Sequence, residues 1–283
     1  MFKHYLITRF NLRVDIWNVT KNNEQLLTDE WMDNRMWLFE NFCFPSVVAQ
    51  KNKTFEWLLY FDTNTKEVYK TRILELVNKQ PHFRVFFVDA MPSFMPELIN
   101  YIKEETKGIQ FLITTRIDSD DSMHIDFINE VQKQFNQQEY RAIDFIKGYS
   151  MQIEPRYVLG KKDQLFNPFI SLIEKNENPK TVFYQDHRFW KRDKKVTQLG
   201  KKRMWLSIIH QRNKINRFDG YGNVKWGKLK NDFILSEDAN DLITKKIIPF
   251  YKWILKNFKN VISHKFELNY KLLKRKIGFY KFK

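Results

Sequence analysis

Three carboxylates fall within four positions, Asp118-Ser119-Asp120-Asp121, directly after the β-rich run Phe111-Leu112-Ile113-Thr114-Thr115-Arg116. Carboxylates at the end of a buried strand are expensive unless something compensates their charge, and a divalent cation does so. Asp118 and Asp120 alternate from a strand end, so both can point to one side, and their oxygens suit Mg2+ or Mn2+. An ion held there can bridge two phosphates and stabilise charge on a departing diphosphate. The same residues can also make a solvated turn, with Asp121 or Ser122 capping the next helix.

The elements that must position this cluster are readable in the first half. Residues 4–10 read as a strand ended by Asn11. Asp29 can cap a helix in which Met32, Met36, Phe39 and Cys43 fall near helical spacing, and Pro45 is expected to end it. Residues 55–62 read as a second strand, followed by a helix with Tyr69, Ile73 and Leu76 on one face. Residues 83–89 read as a third strand, 96–105 as a short helix and 110–116 as the fourth strand. Ser122 can cap a further helix, with Ile125, Ile128, Val131 and Phe135 inward. This alternation predicts an α/β fold with a largely parallel sheet covered on both faces. The ligand of such a sheet sits beyond the carboxyl ends of its strands, which here carry Arg9 and Asn11, Asp62, Asp89 and Asp118. Further on, 145–153 and 156–160 read as antiparallel strands, 166–175 as a helix, 181–190 as a strand, and the chain beyond Leu229 as mostly helical.

Arg9-Phe10-Asn11, Arg35 with Leu38-Phe39, Phe44-Pro45-Ser46, Phe55-Glu56-Trp57-Leu58 with Phe61-Asp62, and Thr114-Thr115-Arg116-Ile117-Asp118-Ser119-Asp120-Asp121 occur in this order. Asn167-Pro168-Phe169, Ser171-Leu172-Ile173-Glu174 and Met204-Trp205-Leu206 with His210 follow. In this set the chain resembles the bacterial rhamnosyltransferase family, itself similar to the GT-A class of nucleotide-sugar transferases. The resemblance covers roughly residues 5–215. It implies a GT-A-like (Rossmann-like) domain over 1–215, with a nucleotide half to about residue 121 and an acceptor half beyond it. A basic, mainly helical extension then occupies 216–283.

The implied activity is metal-dependent transfer of a sugar, rhamnose among the candidates, from a nucleotide-diphosphate donor. The implied acceptor is a glycan or lipid-linked molecule in surface polysaccharide or lipopolysaccharide assembly. By the resemblance Asp118 and Asp120 bind Mn2+ or Mg2+ and the donor diphosphate, and His210 closes the metal site. Arg9, Asn11, Asp62 and Arg116 join Asp118 in the nucleotide-sugar pocket. An inverting transferase needs a carboxylate base; Glu174 is the first candidate and Asp186 the second. Plainer readings stand beside these: Asp62-Thr63-Asn64 is good turn chemistry, Arg9 can be an ion-pairing residue, His210 a structural one, and Trp205 core.

Charge is unevenly placed. Residues 1–150 carry 18 Lys/Arg against 21 Asp/Glu, and residues 151–283 carry 31 against 12. Residues 187–231 hold 14 basic against 2 acidic side chains, and 256–283 hold 9 against 1, both interleaved with aromatics. Such stretches suit a solvated basic face, or an anionic membrane surface beside a lipid-linked acceptor. The rival classes are a nucleic-acid or other polyanion-binding protein with a metal site, which no recognised nucleic-acid motif supports, and a non-catalytic member of the same fold. The single cysteine, Cys43, excludes an internal disulfide and reads as buried filler. No leader peptide and no membrane-spanning run is read in the sequence, so a cytoplasmic protein, peripheral on the inner membrane face, is the expectation.

Overall fold

The computed structural model describes residues 1–14, 25–213 and 217–280. The main sheet contains Phe2–Arg9 (β1), Glu56–Asp62 (β2), Phe83–Val88 (β3) and Phe111–Arg116 (β4). A short strand, Ser122–Met123 (β5), follows, and then Tyr140–Phe145 (β6), Lys147–Gln152 (β7), Val158–Asp163 (β8), Ser171–Lys175 (β9), Val196–Leu199 (β10) and Trp205–Ile209 (β11). One sheet has the order β10-β6-β9-β4-β1-β2-β3, and a second has the order β5-β11-β7-β8. Pairing is parallel from β3 through β4 and between β10 and β6; β9 enters antiparallel between β4 and β6. The fold is α/β, with a mixed, mostly parallel sheet.

The alternation of the strands sorts the core into two layers. Leu6, Trp57, Leu59 and Ile113 face a layer made by Asp29–Leu38 (α1), a π-helical turn Phe39–Cys43, Phe44–Val48 (α2) and Glu67–Val77 (α3). Tyr5, Ile7, Leu58, Tyr60 and Leu112 face Phe94, Leu98 and Ile102 of Ala90–Glu105 (α4) on the opposite side. Because β2 and β3 lie on one side of β1 and β4 on the other, the chain switches direction across the sheet between β1 and β4. A crevice opens at the carboxyl ends of strands at such a point.

Several local expectations change. The N-cap of α1 is Thr28, whose hydroxyl accepts from the Trp31 amide at 3.2 Å, and Pro45 opens α2 rather than ending the helix. The helix containing Pro96 begins six residues earlier, at Ala90. Ser122 lies in β5, donating to the Phe42 carbonyl at 2.7 Å, and the next helix is Phe127–Gln132 (α5). The stretch 166–175 is not a helix: Pro168 sits in a turn, and residues 171–174 are all buried in β9, covered from both faces. The stretch 181–190 is not a strand either; Asp186 caps the 3-10 turn His187–Arg192.

Residues 217–247 pack as part of the body. Trp226, Phe233 and, from Glu237–Lys246 (α6), Ala239 and Ile243 share a core with Leu38, Phe42, Met151, Leu159 and Leu206. The boundary drawn at residue 215 therefore does not coincide with a break in packing. Ile254–Lys276 (α7) is the last helix among the described residues and has no buried residue. Among the described residues no helix is long and apolar enough to cross a membrane.

Candidate active site

The registers fix which side chains meet at the switch point. Ile7 pairs with Arg116, so Arg9 lies level with Asp118. Arg9 also pairs with Tyr60, which sets Asn11 level with Asp62. The Asp62 amide donates to Asn11 Oδ1 at 3.2 Å, and Asn11 Nδ2 donates to Thr65 Oγ1 at 3.0 Å. Asp62 is buried, its carboxylate accepting from the Arg13 amide at 3.0 Å, Arg13 Nε at 2.9 Å and the Asn64 amide at 2.9 Å. Turn chemistry and pocket lining thus coexist at Asp62.

Two cavities open here. One of about 510 Å3 is lined by Arg9, Asn11, Arg13, Arg35, Asp118 and Arg212 among its polar groups, with Phe10, Leu12, Trp31 and Met91 on its apolar side. Its neighbour, about 230 Å3, shares Asn11 and Arg13 and adds Asp62, Thr65 and Tyr69. The larger falls within the size range of small-ligand sites, apolar-lined with a few convergent polar groups.

The guanidinium groups of Arg9 and Arg116 lie 4.7 Å and 5.0 Å from the centroid of the Phe183 ring. Burial, together with the charge of Arg116, lowers Arg9 to about 10. Arg116 donates to Asp118 at 3.1 Å while its buried Nε has no hydrogen-bond partner. Two crowded cations, Arg116 buried and Arg9 half-buried, favour an anion between or beside them, and arginine forks match phosphate oxygens.

Asp120 and Asp121 turn away from each other. β5 and β11 are antiparallel, with Ser122 opposite Leu206, so the residues before β5 run alongside the end of β11. Asp121 accepts from the Ile208 amide at 2.8 Å; burial, then the charges of Asp120 and Asp118, push its carboxyl well above the usual range. Asp120 Oδ2 lies 3.0 Å from His210 Nε2, 3.3 Å from Asn213 Nδ2 and 2.9 Å from Arg35 Nη1. Burial alone would raise the Asp120 carboxyl, but Arg35 and then His210 outweigh it and hold the group well below its ordinary range.

Oxygen and imidazole donors of Asp118, Asp120 and His210 have the right chemistry for Mn2+ or Mg2+. In this arrangement only Asp120 and His210 touch. Asp118 turns to Arg116, Arg35 engages the Asp120 oxygen, and no three His, Cys, Asp or Glu side chains among the described residues gather as a ligand group. The three expected ligands therefore do not form a metal site as arranged, and Arg35 supplies positive charge to the carboxylate.

The two base candidates separate. Glu174 pairs with Leu112, near the start of β4, roughly 15–20 Å of strand from Asp118 at ~3.3 Å per residue. Its carboxylate accepts from the amides of Lys180 at 2.9 Å and Thr181 at 2.8 Å, and burial raises its pKa. It is a buried loop anchor at the far end of the sheet, and this corrects its assignment as a catalytic base. Asp186 lies near the crevice, where its charge acts on Arg9 and His187. Although burial opposes it, the Arg188 side chain and amide lower Asp186 to about 2, so it is ionised at neutral pH. His187 is lowered to about 4 by burial and by Arg116.

Sequence reading missed Arg13, Arg35, Phe183, Asn213 and Arg212 as site residues. Arg35 had a visible signal: it follows Trp31 and Met32 at helical spacing, on the side of α1 that carries the buried residues. Trp205 is core as expected, 1% exposed, with Nε1 donating to the Phe145 carbonyl at 2.6 Å.

No curated protein matches the chain. Among solved structures, Staphylococcus aureus TarS 1–349 in complex with UDP is similar over 73% of this chain, at 12% identity and a TM-score of 0.43. The chain spans 60% of the length of that TarS structure. A "putative nucleotide-diphospho-sugar transferase" from Desulfovibrio desulfuricans G20 is similar over 87% of this chain and 98% of its own length, at 11% identity and a TM-score of 0.42. Residues 3–220 match the family model described as "Putative rhamnosyl transferase", and the chain belongs to that family.

Proposed function

We propose that the protein transfers a sugar, with rhamnose the first candidate, from a nucleoside-diphosphate donor held in the crevice between β1 and β4. The observation that carries this reading is the convergence of Arg9, Arg13, Arg35 and Arg212 with Asp118 around the 510 Å3 cavity, with Arg116 paired to that Asp118. The smaller cavity beside Asn11, Asp62 and Thr65 suits the base and ribose. The arginines neutralise the diphosphate, most strongly as charge grows on it during departure. Asp186 takes the acceptor hydroxyl proton in a single displacement with inversion, and the acceptor is a glycan or a lipid-linked molecule of surface polysaccharide assembly.

Where Mn2+ or Mg2+ takes part, Asp118, Asp120 and His210 are the residues to hold it, and Arg35 must then yield the Asp120 oxygen. Such an ion supplies further charge neutralisation to the diphosphate.

A thermal-shift screen of UDP, GDP, dTDP, CDP and ADP, with and without Mn2+ and repeated on Asp120→Ala, tests the reading. A ligand that binds only the folded state raises its stability by mass action. Stabilisation by one nucleotide, lost in Asp120→Ala, supports the donor site and names its base; its dependence on Mn2+ decides the metal. Silence from every nucleotide would count against transfer.

A further inference from the structure

Helix α7 is amphipathic in the inverse sense. Its polar side faces the protein: Asn257 accepts from the Gly222 amide at 2.7 Å, Asn260 donates to the Gly220 carbonyl at 2.8 Å, and His264 Nε2 accepts from the Asp163 amide at 3.1 Å. Arg275 reaches the Val196 carbonyl at 3.1 Å near the other end. The opposite side carries Leu255, Phe258, Ile262, Phe266, Leu273 and Ile277, each between 55% and 82% exposed. At 100° per residue these fall on one stripe of roughly 100° of arc, along a helix ~35 Å long. An exposed apolar face of this kind, interrupted by Asn269 and edged by Lys259, marks an interaction surface.

The charge around the stripe says what covers it. Between Ile254 and Lys276 there are seven Lys/Arg and one acid, Glu267. Lys256 and Lys274 border the stripe on one side, Lys265 and Lys276 on the other. A second copy laid stripe to stripe would bring these borders together in repulsion. A bilayer with anionic headgroups accepts the apolar side chains below and the lysines at its surface, whose stems lie along the apolar layer.

An independent feature links this face to the site. A cleft of about 910 Å3 has Leu255, Lys256 and Lys259 of α7 on one wall and Glu154, Ile209 and His210 on another. It thus runs from the apolar stripe to the histidine that holds Asp120.

We propose that the protein docks on an anionic membrane through the exposed apolar face of α7, with the mouth of this cleft at the bilayer surface. On the transferase reading, the cleft then receives an acceptor held by its lipid, and Arg217, Lys256 and Lys259 meet an anionic group on it.

Co-sedimentation of the full chain with vesicles tests the docking without any donor. Vesicles of phosphatidylcholine alone are compared with vesicles containing phosphatidylglycerol, at low and raised salt. The protein should partition onto the phosphatidylglycerol vesicles and release as salt rises. Replacing Phe258, Ile262, Phe266 and Leu273 together by Ser, none of which lines the cleft, should weaken binding at least about tenfold, since several apolar side chains leave the lipid. These residues are exposed, so melting temperature and nucleotide binding in lipid-free solution should hold. A second variant, Lys265→Glu with Lys276→Glu, should lose the preference for anionic lipid. Absent binding to phosphatidylglycerol vesicles, or undiminished binding by the four-Ser variant, overturns the proposal. So does a dimer, seen by sedimentation in place of vesicle binding, that the four-Ser variant dissociates. Nucleotide binding without vesicle binding sinks the docking alone; the reverse sinks the transferase reading alone.

Discussion

Arg35 of α1 and His210, just past β11, meet on one oxygen, Oδ2 of Asp120, at 2.9 Å and 3.0 Å. A helix of the first layer and a strand of the second sheet are thereby joined through the loop that follows β4. The arrangement makes Arg35 part of the charge balance of the crevice between β1 and β4, which it also lines.

Arg35→Ala should weaken binding of the preferred nucleoside diphosphate by about tenfold or more in metal-free buffer, the scale of one charge-assisted hydrogen bond. It should also make binding more responsive to added Mn2+, because the Asp120 oxygen then lacks its guanidinium. Isothermal titration with and without Mn2+ measures both. Unchanged affinity in the variant would remove Arg35 from the donor site.

Asp186→Asn and Glu174→Gln should behave in opposite ways. The first should lower kcat by about a hundredfold or more, the scale of a positioned base, with little change in donor affinity. The second should leave kcat alone and lower stability by about 1–3 kcal/mol, because an amide nitrogen then faces one of the two backbone amides. Steady-state kinetics and urea denaturation on both variants separate the roles. A kinetic collapse in Glu174→Gln would return it to the chemistry.

His4 gives a signed pH dependence. It is buried beside Thr115 and Gln132, and burial lowers it to about 3. Between that value and its unfolded pKa of about 6.5 the unfolded chain takes a proton that the folded chain refuses. Its contribution is therefore present above about pH 6.5 and is lost as pH falls toward 3, by up to about 1.4 kcal/mol per unit. Buried Asp144, raised by burial to about 7, adds a loss in the other direction as pH rises from about 4 to 7. The stability of the native chain relative to His4→Gln should thus decline below pH 6.5, as read by denaturant midpoints across pH 4–8. Parallel curves would show that His4 is protonated when folded.

Gly148→Ala should destabilise the second sheet. A Cβ there would lie 2.1 Å from Trp205 Cδ2, and overpacking of a fitted core costs about 1–3 kcal/mol. Trp205→Phe in the same chain should recover part of the loss. A double-mutant cycle from urea unfolding gives the coupling, and strict additivity would place the strain elsewhere.

The first four strands were legible because each is a β-rich run of strand length between helical patterns, and their order then placed Arg9, Asp62 and Asp118 at one edge. What failed involves pairing at long range. Ile170, Leu172 and Ile173 fit a helix locally, yet β9 inserts between β4 and β6, covered on both faces. That insertion is antiparallel, so Glu174 points to the opposite end of the sheet from the acids after β4. Periodicity carries no information about strand direction, which decided this residue. The helical spacing of Arg35 was visible but its role was not: its partner lies 85 positions away on a loop, and only packing brings the two together.

Asp120 and Asp121 stand back to back, one holding His210 and the other the amide of Ile208. The loop that faces the 510 Å3 crevice and the strand that walls the 910 Å3 cleft are consequently fastened at two adjacent points. An occupant of the cleft that displaces β11 must drag the carboxylates with it, and so change the affinity of whatever sits in the crevice. By linkage the effect runs equally in the other direction. Ligands on opposite sides of one pair of aspartates would then bind as a coupled event, each setting the affinity the other finds.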